Sequence, residues 1–320
     1  MTTPPGHMTL DRTKFVYSVV IPVYNSEQLV GTTIDRVLEV FHAEGLDHEI
    51  ILVNDGSSDG SWDVIAEKAR TAPNVIALDL LKNYGQHHAN MAGLRASSGD
   101  YVITMDDDLQ NPPDQALLLI DEAMTGKDVV FGEFDRKQAA GYRRLGSKLI
   151  GAINRRIFGQ PPDLVVSNFR ILRRDVVDRI CASRTAHPYL TGQALMYSSR
   201  RSHVRVRHDQ RPVGKSNYSL RRILHLVLTI LFTYSSYPLR IGALVGFAMS
   251  FVSMVLGAFY LLSGLLRDTE VQGWTTLVVL VSVFNGFTIA LLSMLGEYVV
   301  RTLDAVSNRE SYHIVARVPE

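Results

Sequence analysis

Tyr101-Val102-Ile103-Thr104-Met105-Asp106-Asp107-Asp108-Leu109-Gln110 is an apolar run that stops at three consecutive carboxylates. Such a run reads as a buried strand of a parallel sheet, and open α/β folds place their ligands at the carboxyl ends of those strands. Like charges this close repel, which costs free energy unless a cation or hydrogen-bond donors offset it. Hard oxygen ligands beside a Gln side chain suit Mg2+ or Mn2+, so the stretch points to a metal held against a diphosphate. The structural alternative is a solvated acidic turn before Pro112-Pro113, since strand-end acids also act as caps.

Outward from that stretch the chain alternates strand and helix. Phe15 to Val23 is a β-rich apolar run, followed by helical spacing near Ser26 to Phe41. A strand over Glu49 to Val53, a helix near Trp62 to Arg70, a strand near Asn74 to Leu80 and a helix near His87 to Ala96 lead to the opening stretch. This βαβαβαβ order predicts a parallel sheet with right-handed crossovers. Neither GxGxxG nor a Walker A sequence occurs, so a nucleotide must be gripped by other means. Two strand ends offer them: Pro22-Val23-Tyr24-Asn25 leading into Glu27, and Asp55 in Asn54-Asp55-Gly56-Ser57-Ser58-Asp59-Gly60. An aromatic face and a carboxylate there can stack on a base and accept from its N–H or a ribose hydroxyl. The second stretch also reads as a turn with Asp59 or Ser58 capping a helix.

The strings VVIPVYN (19–25), VNDGSSDGS (53–61), KNYGQHHAN (82–90) and DDDLQNPPD (106–114) together resemble the GT-A nucleotide-sugar glycosyltransferases of family 2. The likeness is greatest to the polyisoprenyl-phosphate glycosyltransferases: dolichyl-phosphate mannose synthase, bactoprenol glucosyltransferases and undecaprenyl-phosphate formamido-arabinose transferase. The resemblance implies an α/β GT-A nucleotide-sugar-binding domain with a mostly parallel sheet. It implies inverting, Mg2+- or Mn2+-dependent transfer of a sugar from a nucleotide-sugar donor to a polyprenyl phosphate of the undecaprenyl type. The product would be a lipid-linked sugar for cell-envelope glycan or lipid modification. Carried over by position, Pro22, Tyr24, Glu27 and Asp55 would line the nucleoside pocket, with Lys82, Asn83 and Gly85 beside the donor. Asp106, Asp108 and Gln110 would hold the metal, Asp106 would also touch the donor, and Asp107 would join it there although the family usually has a small or apolar residue. For the lipid phosphate the pattern selects Arg136, Arg143, Ser147, Arg211, Lys215 and Ser216, and for catalysis Asp106, Asp108, Arg136, Arg143, Arg170 and Arg211. Lys215 would supply the charge of a family lysine replaced here by Asn217, and Asn168 stands where some relatives carry an acid.

At 320 residues with a formal charge of +1, the chain does not suit nucleic-acid binding driven by phosphate contacts. A single cysteine, Cys181, excludes an intrachain disulfide and fits a reducing compartment. The N-terminus lacks a basic-then-apolar signal pattern. Basic residues crowd Arg136 to Arg222, just before apolar spans, where they suit an anionic lipid surface or a phosphate substrate. The spans at about 241–266 and 273–296 are each long enough to cross a bilayer core of roughly 30 Å. Between them Arg267-Asp268-Thr269-Glu270 has no positive excess, whereas Arg221, Arg222, Arg240 and Arg301 flank the opposite ends. The positive-inside rule then puts the enzyme domain and both termini in the cytoplasm, on a multi-pass protein of the cytoplasmic membrane. The expected organisation is a flexible N-terminus (1–14), a GT-A domain (15–218), an interfacial helix (219–239), two transmembrane helices (240–300) and a cytoplasmic tail (301–320). The sequence is compatible with a homo-oligomer. Competing readings are a processive polysaccharide synthase, whose QxxRW motif neither Trp62 nor Trp274 occupies, and a membrane-anchored scaffold without activity.

Overall fold

The apolar runs before the acidic turn become the centre of one sheet. In the computed structural model, the described residues are 9–134, 141–183, 185, 188–207, 209, 220–266, 273–306 and 312–319. They fall into two units, Met1–Leu220 with Arg309–Glu320, and Arg221–Asn308.

In the first unit β1 (Val16–Val23), α1 (Glu27–Ala43), β2 (Asp47–Asn54), α2 (Ser61–Thr71), β3 (Val75–Leu80), α3 (Gln86–Ala96) and β4 (Tyr101–Thr104) follow the expected alternation. β1 pairs in parallel with β2 and with β4, and β2 with β3. α1 buries Val30, Thr33, Ile34, Val37 and Phe41, steps of three and four that keep one stripe on the sheet. Each such aliphatic side chain, fully buried, contributes about 1.5–3 kcal/mol of hydrophobic stabilisation. β1 lies between β2 and β4, so chain order reverses there. The crevice at the carboxyl ends of β1 and β4 is the switch point where doubly wound sheets bind ligands.

The sheet continues through α4 (Ala116–Ala123), β5 (Val129–Phe134), α5 (Gly141–Phe158), β6 (Arg170–Arg173), α6 (Arg174–Ala182), α7 (Leu190–Met196) and β7 (Arg201–Val206). β6 inserts antiparallel between β4 and β5, and β7 runs parallel to β5. Among the described residues here, several arginines are tied down. Asp128 takes Arg173 at 3.1 Å and Arg200 at 2.9 Å, and Arg174 donates to the Gly99 carbonyl at 2.7 Å.

Following α8 (Leu220–Tyr234), α9 (Tyr237–Leu266) and α10 (Trp274–Val306), the chain forms β8 (Ile314–Val318). β8 pairs antiparallel with β3, setting Leu78 against Arg317 and Asp79 against Ala316. The described sheet order is therefore β7-β5-β6-β4-β1-β2-β3-β8. Tyr312 is buried just ahead of it, with the Arg95 guanidinium 5.6 Å from its ring centroid. The region expected as a tail from 301 is thus helical to Val306 and becomes a sheet strand at Ile314.

In the second unit, α9 and α10 are helices long and apolar enough to cross a membrane. A Cβ on Gly242 would meet Leu291, and one on Gly246 would meet Phe287, so the two helices run antiparallel with small residues at their contact. A Cβ on Gly257 would meet nothing within 4 Å. Phe247, Phe251, Phe259, Ile289 and Leu292 are exposed.

Candidate functional site

The loops after β1 and β2 are zipped together by their own polar atoms. The Asn25 N–H donates to Ser57 Oγ at 3.0 Å, Ser58 N–H to Asn25 Oδ1 at 2.9 Å, and Ser26 N–H to Ser61 Oγ at 2.8 Å. Asp59 accepts from the Glu27 N–H at 3.2 Å, and Glu27 returns a carboxylate oxygen to the Gly60 N–H at 3.1 Å. The starts of α1 and α2 thus cap one another, satisfying donors that helix N-termini leave open. Glu27, expected at the nucleoside, is part of this clasp. Pro22, also expected there, is buried within β1 opposite Val53. Tyr24 stands exposed, at 50%, and Glu27 is exposed beside it.

Asp55 lies at the carboxyl end of β2, but its two oxygens accept the Tyr84 N–H at 2.7 Å and the Gly85 N–H at 2.9 Å. Burial raises its pKa, with those two donors working in the opposite direction. In this structure it holds the β3–α3 loop. The same loop comes so close that a Cβ on Gly56, where φ is +62°, would lie 2.4 Å from the Lys82 carbonyl carbon. Lys82 and Asn83 are exposed, and the Lys82 ammonium sits 5.3 Å above the Tyr84 ring.

Past β4 the acidic turn divides. Asp107 faces β1, accepting the Tyr24 N–H at 3.4 Å, while its carbonyl accepts the Thr33 hydroxyl at 3.0 Å. Asp108 accepts the Gln110 N–H at 3.1 Å, and Leu109 between them has φ of +58°. A branched side chain in that left-handed region is strained, and such strain gathers at ligand sites. Asp106 accepts from the Gln86 amide at 2.5 Å. Loss of water, then repulsion from Asp108 and Asp107, pushes its carboxyl up to about 7. A cation beside these oxygens would relieve that repulsion, and carboxylate and amide oxygens such as those of Asp106, Asp108 and Gln110 are the ligand chemistry a hard divalent ion takes, although among the described residues no three acidic, His or Cys side chains are grouped closely enough to hold one without help.

Arg170, expected among the catalytic residues, is fully buried. It donates through Nε to Thr104 Oγ1 at 3.2 Å and through Nη1 to Thr191 Oγ1 at 3.0 Å, so it supports β4 from within. Neither threonine carried a signal in the sequence. His87 packs its ring edge-on to Tyr189, with centroids 5.5 Å apart. Arg136, Arg211, Lys215 and Ser216 lie outside the described residues, and Arg143 and Ser147 are placed only as backbone positions on α5. A separate cleft of about 470 Å³ between α1 and the Pro112–Asp114 turn is lined by Arg36, Glu39, Glu44 and Arg207, and by none of the three acids.

Residues 18–181 match the family model described as Glycosyl transferase family 2. An undecaprenyl-phosphate 4-deoxy-4-formamido-L-arabinose transferase from Proteus mirabilis (strain HI4320) is 32% identical over 300 residues, covering 93% of this chain and 92% of that protein. The enzyme of that name from Pseudomonas fluorescens (strain SBW25) is 34% identical over 301 residues, 93% and 88% of the two chains. Among solved structures, glucosyl-3-phosphoglycerate synthase from Mycobacterium tuberculosis, in complex with Mn2+, UDP-glucose and phosphoglyceric acid, superposes with a TM-score of 0.51 at 16% identity. It covers 72% of this chain and 83% of that one, a likeness of fold. The GT-A-like sheet, the acids at its switch point and these matches agree: the chain belongs to glycosyl transferase family 2 and is a glycosyltransferase.

Proposed function

We propose that this glycosyltransferase moves a sugar, with inversion, from a nucleotide-sugar donor to a polyprenyl phosphate at the cytoplasmic face of a membrane. The observation that carries the reading is the Asp106–Asp108 turn at the switch point, three carboxylates in succession where burial and then repulsion from Asp108 and Asp107 push Asp106 up to about 7. Asp106, Asp108 and Gln110 would hold Mg2+ or Mn2+, which when bound supplies positive charge against the departing nucleoside diphosphate. Exposed Tyr24 offers a stacking face for the base, and Lys82 and Asn83 offer donors beside it. The acceptor phosphate is already ionised near neutral pH, so its oxygen can attack the anomeric carbon without a strong base from the protein. Arg136, Arg143, Ser147, Arg211, Lys215 and Ser216 are assigned to that phosphate from the family pattern. The relatives named for undecaprenyl phosphate support the choice of acceptor.

The sheet supports the membrane arrangement. β8 pairs with β3, and two strands of one sheet lie on one side of a bilayer. The chain between them must therefore cross an even number of times. Crossings by α9 and α10 satisfy this with α8 at the interface, whereas a third crossing by α8 does not. Their exposed Phe and Leu side chains would be an aggregation hazard in water. The test is incubation of the membrane-embedded protein with radiolabelled nucleotide sugars and undecaprenyl phosphate, with and without chelator. Label should enter the organic phase only when the acceptor is present and the chelator absent. Full transfer in chelator would refute the metal, and transfer to water-soluble acceptors alone would refute the lipid.

A further inference from the structure

We infer that Gln86 and Asn168 are positioning residues for Asp106, closing a ring of hydrogen bonds that fixes the direction of its carboxylate. The inference rests on the reading of Asp106 as a holder of the metal. The ring starts on β4, where the Thr104 hydroxyl donates to the Asn168 carbonyl at 2.6 Å. The Asn168 amide donates to Gln86 Oε1 at 3.4 Å, and the Gln86 amide donates to Asp106 Oδ1 at 2.5 Å. Two residues of backbone lead from Asp106 to Thr104 and complete it. The Asn168 segment is braced from both sides. Ser167 Oγ donates to the Phe169 carbonyl at 2.8 Å, and buried Arg170 holds Thr104.

The polarity of the ring has one sense. An ionised carboxylate only accepts, so Gln86 must turn its NH2 toward Asp106. Its carbonyl oxygen then faces residue 168, which must present a donor. Asparagine does so, while aspartate, of the same shape, would set a carboxylate against that carbonyl. The terminal torsion of an aspartate is otherwise broad and roughly two-fold. Tying one oxygen to Gln86 selects one orientation and presents the other oxygen in a constant direction. Gln86 is fixed in turn at the start of α3, directly after the two N–H groups that Asp55 clamps. Groups that orient a metal's ligands typically change metal affinity by about 10–100-fold when removed.

The test uses the full chain in detergent micelles, titrated with Mn2+ alone and with UDP, following free Mn2+ by its paramagnetic resonance signal. Melting temperature is measured alongside. Gln86→Ala should weaken Mn2+ binding by about 10-fold or more with melting little changed, because Gln86 is exposed. Asn168→Asp, differing by one group, should weaken it comparably. The double variant should be no worse than Gln86→Ala, since both act through one bond to Asp106. Wild-type affinity in Asn168→Asp, or effects of the two substitutions that multiply, would overturn the ring while leaving the metal reading intact. A wild-type protein that transfers sugar yet binds no Mn2+ or Mg2+ would remove the metal reading, and this inference with it.

Discussion

Asp106→Asn should stabilise the metal-free protein while abolishing transfer, and the size of the effect follows from the crowding of the acidic turn. The carboxyl is raised from its ordinary 3.8 to about 7 by burial and then by Asp108 and Asp107. Each pH step between those values is worth about 1.4 kcal/mol, so unrelieved charge at Asp106 amounts to about 4 kcal/mol above pH 7, as an upper bound. The direction is that of an acid with a raised pKa. Below its ordinary value of 3.8 the group is protonated both folded and unfolded, and stability is complete. As pH climbs to about 7 the unfolded chain releases the proton first, so stability falls, and above that it stays low. An asparagine cannot ionise, and its Oδ1 still accepts from Gln86. In chelator at pH 8 the variant should melt several degrees above wild type, taking about 2–4 °C per kcal/mol for a domain of this size. The gap should narrow on acidification and close near pH 4. Mn2+ should reverse the order, raising the wild type and leaving the variant unmoved. The assay is a thermal melt of the detergent-solubilised chain across pH, with chelator or Mn2+. A variant that melts at or below wild type at pH 8 in chelator would refute the account of Asp106 as a charge held in wait for a cation.

Gly56→Ala should destabilise the protein by at least about 2 kcal/mol, combining a left-handed backbone with an overpacked contact, and lower donor affinity by displacing the Lys82–Asn83 loop; melting and donor titration would show both. Removal of residues 312–320 should lower stability by about 2–4 kcal/mol through loss of the β8 ladder and the Tyr312 contact, and a truncated chain that melts like wild type would count against β8 as part of the sheet. A cysteine at Thr269, which lies outside the described residues, in a Cys181→Ser background should react with an impermeant thiol reagent from outside intact cells; labelling only after lysis would contradict the cytoplasmic placement of the enzyme domain.

The sequence was legible where burial makes it so. β1, β2 and β4 are covered on both faces, which writes them as unbroken apolar runs, and their helices carry a stripe at steps of three and four. β8 had no such signal. It is a five-residue edge strand with exposed Ile314 and Val315, following a 33-residue helix, and its partner β3 is remote in the chain. Nothing local sets that pairing.

At the site, motif position told where a residue sits and not which way its polar atoms turn. Glu27, Asp55 and Asp107 all lie at the expected strand ends, yet each gives oxygens to backbone N–H groups of a neighbouring loop. The physical reason is that loops meeting at a switch point bring many unsatisfied backbone donors together, and each needs an acceptor. Carboxylates at strand ends answer that need first. The consequence is a division of labour readable from exposure. Buried Asp55, Asp107 and Arg170 build a fixed floor, whereas Tyr24, Lys82, Asn83 and Gln86 remain exposed. Discrimination between donor sugars should therefore change most readily by substitution at Tyr24, Lys82 or Asn83, because those side chains can be altered without touching the bond from Gln86 that orients Asp106.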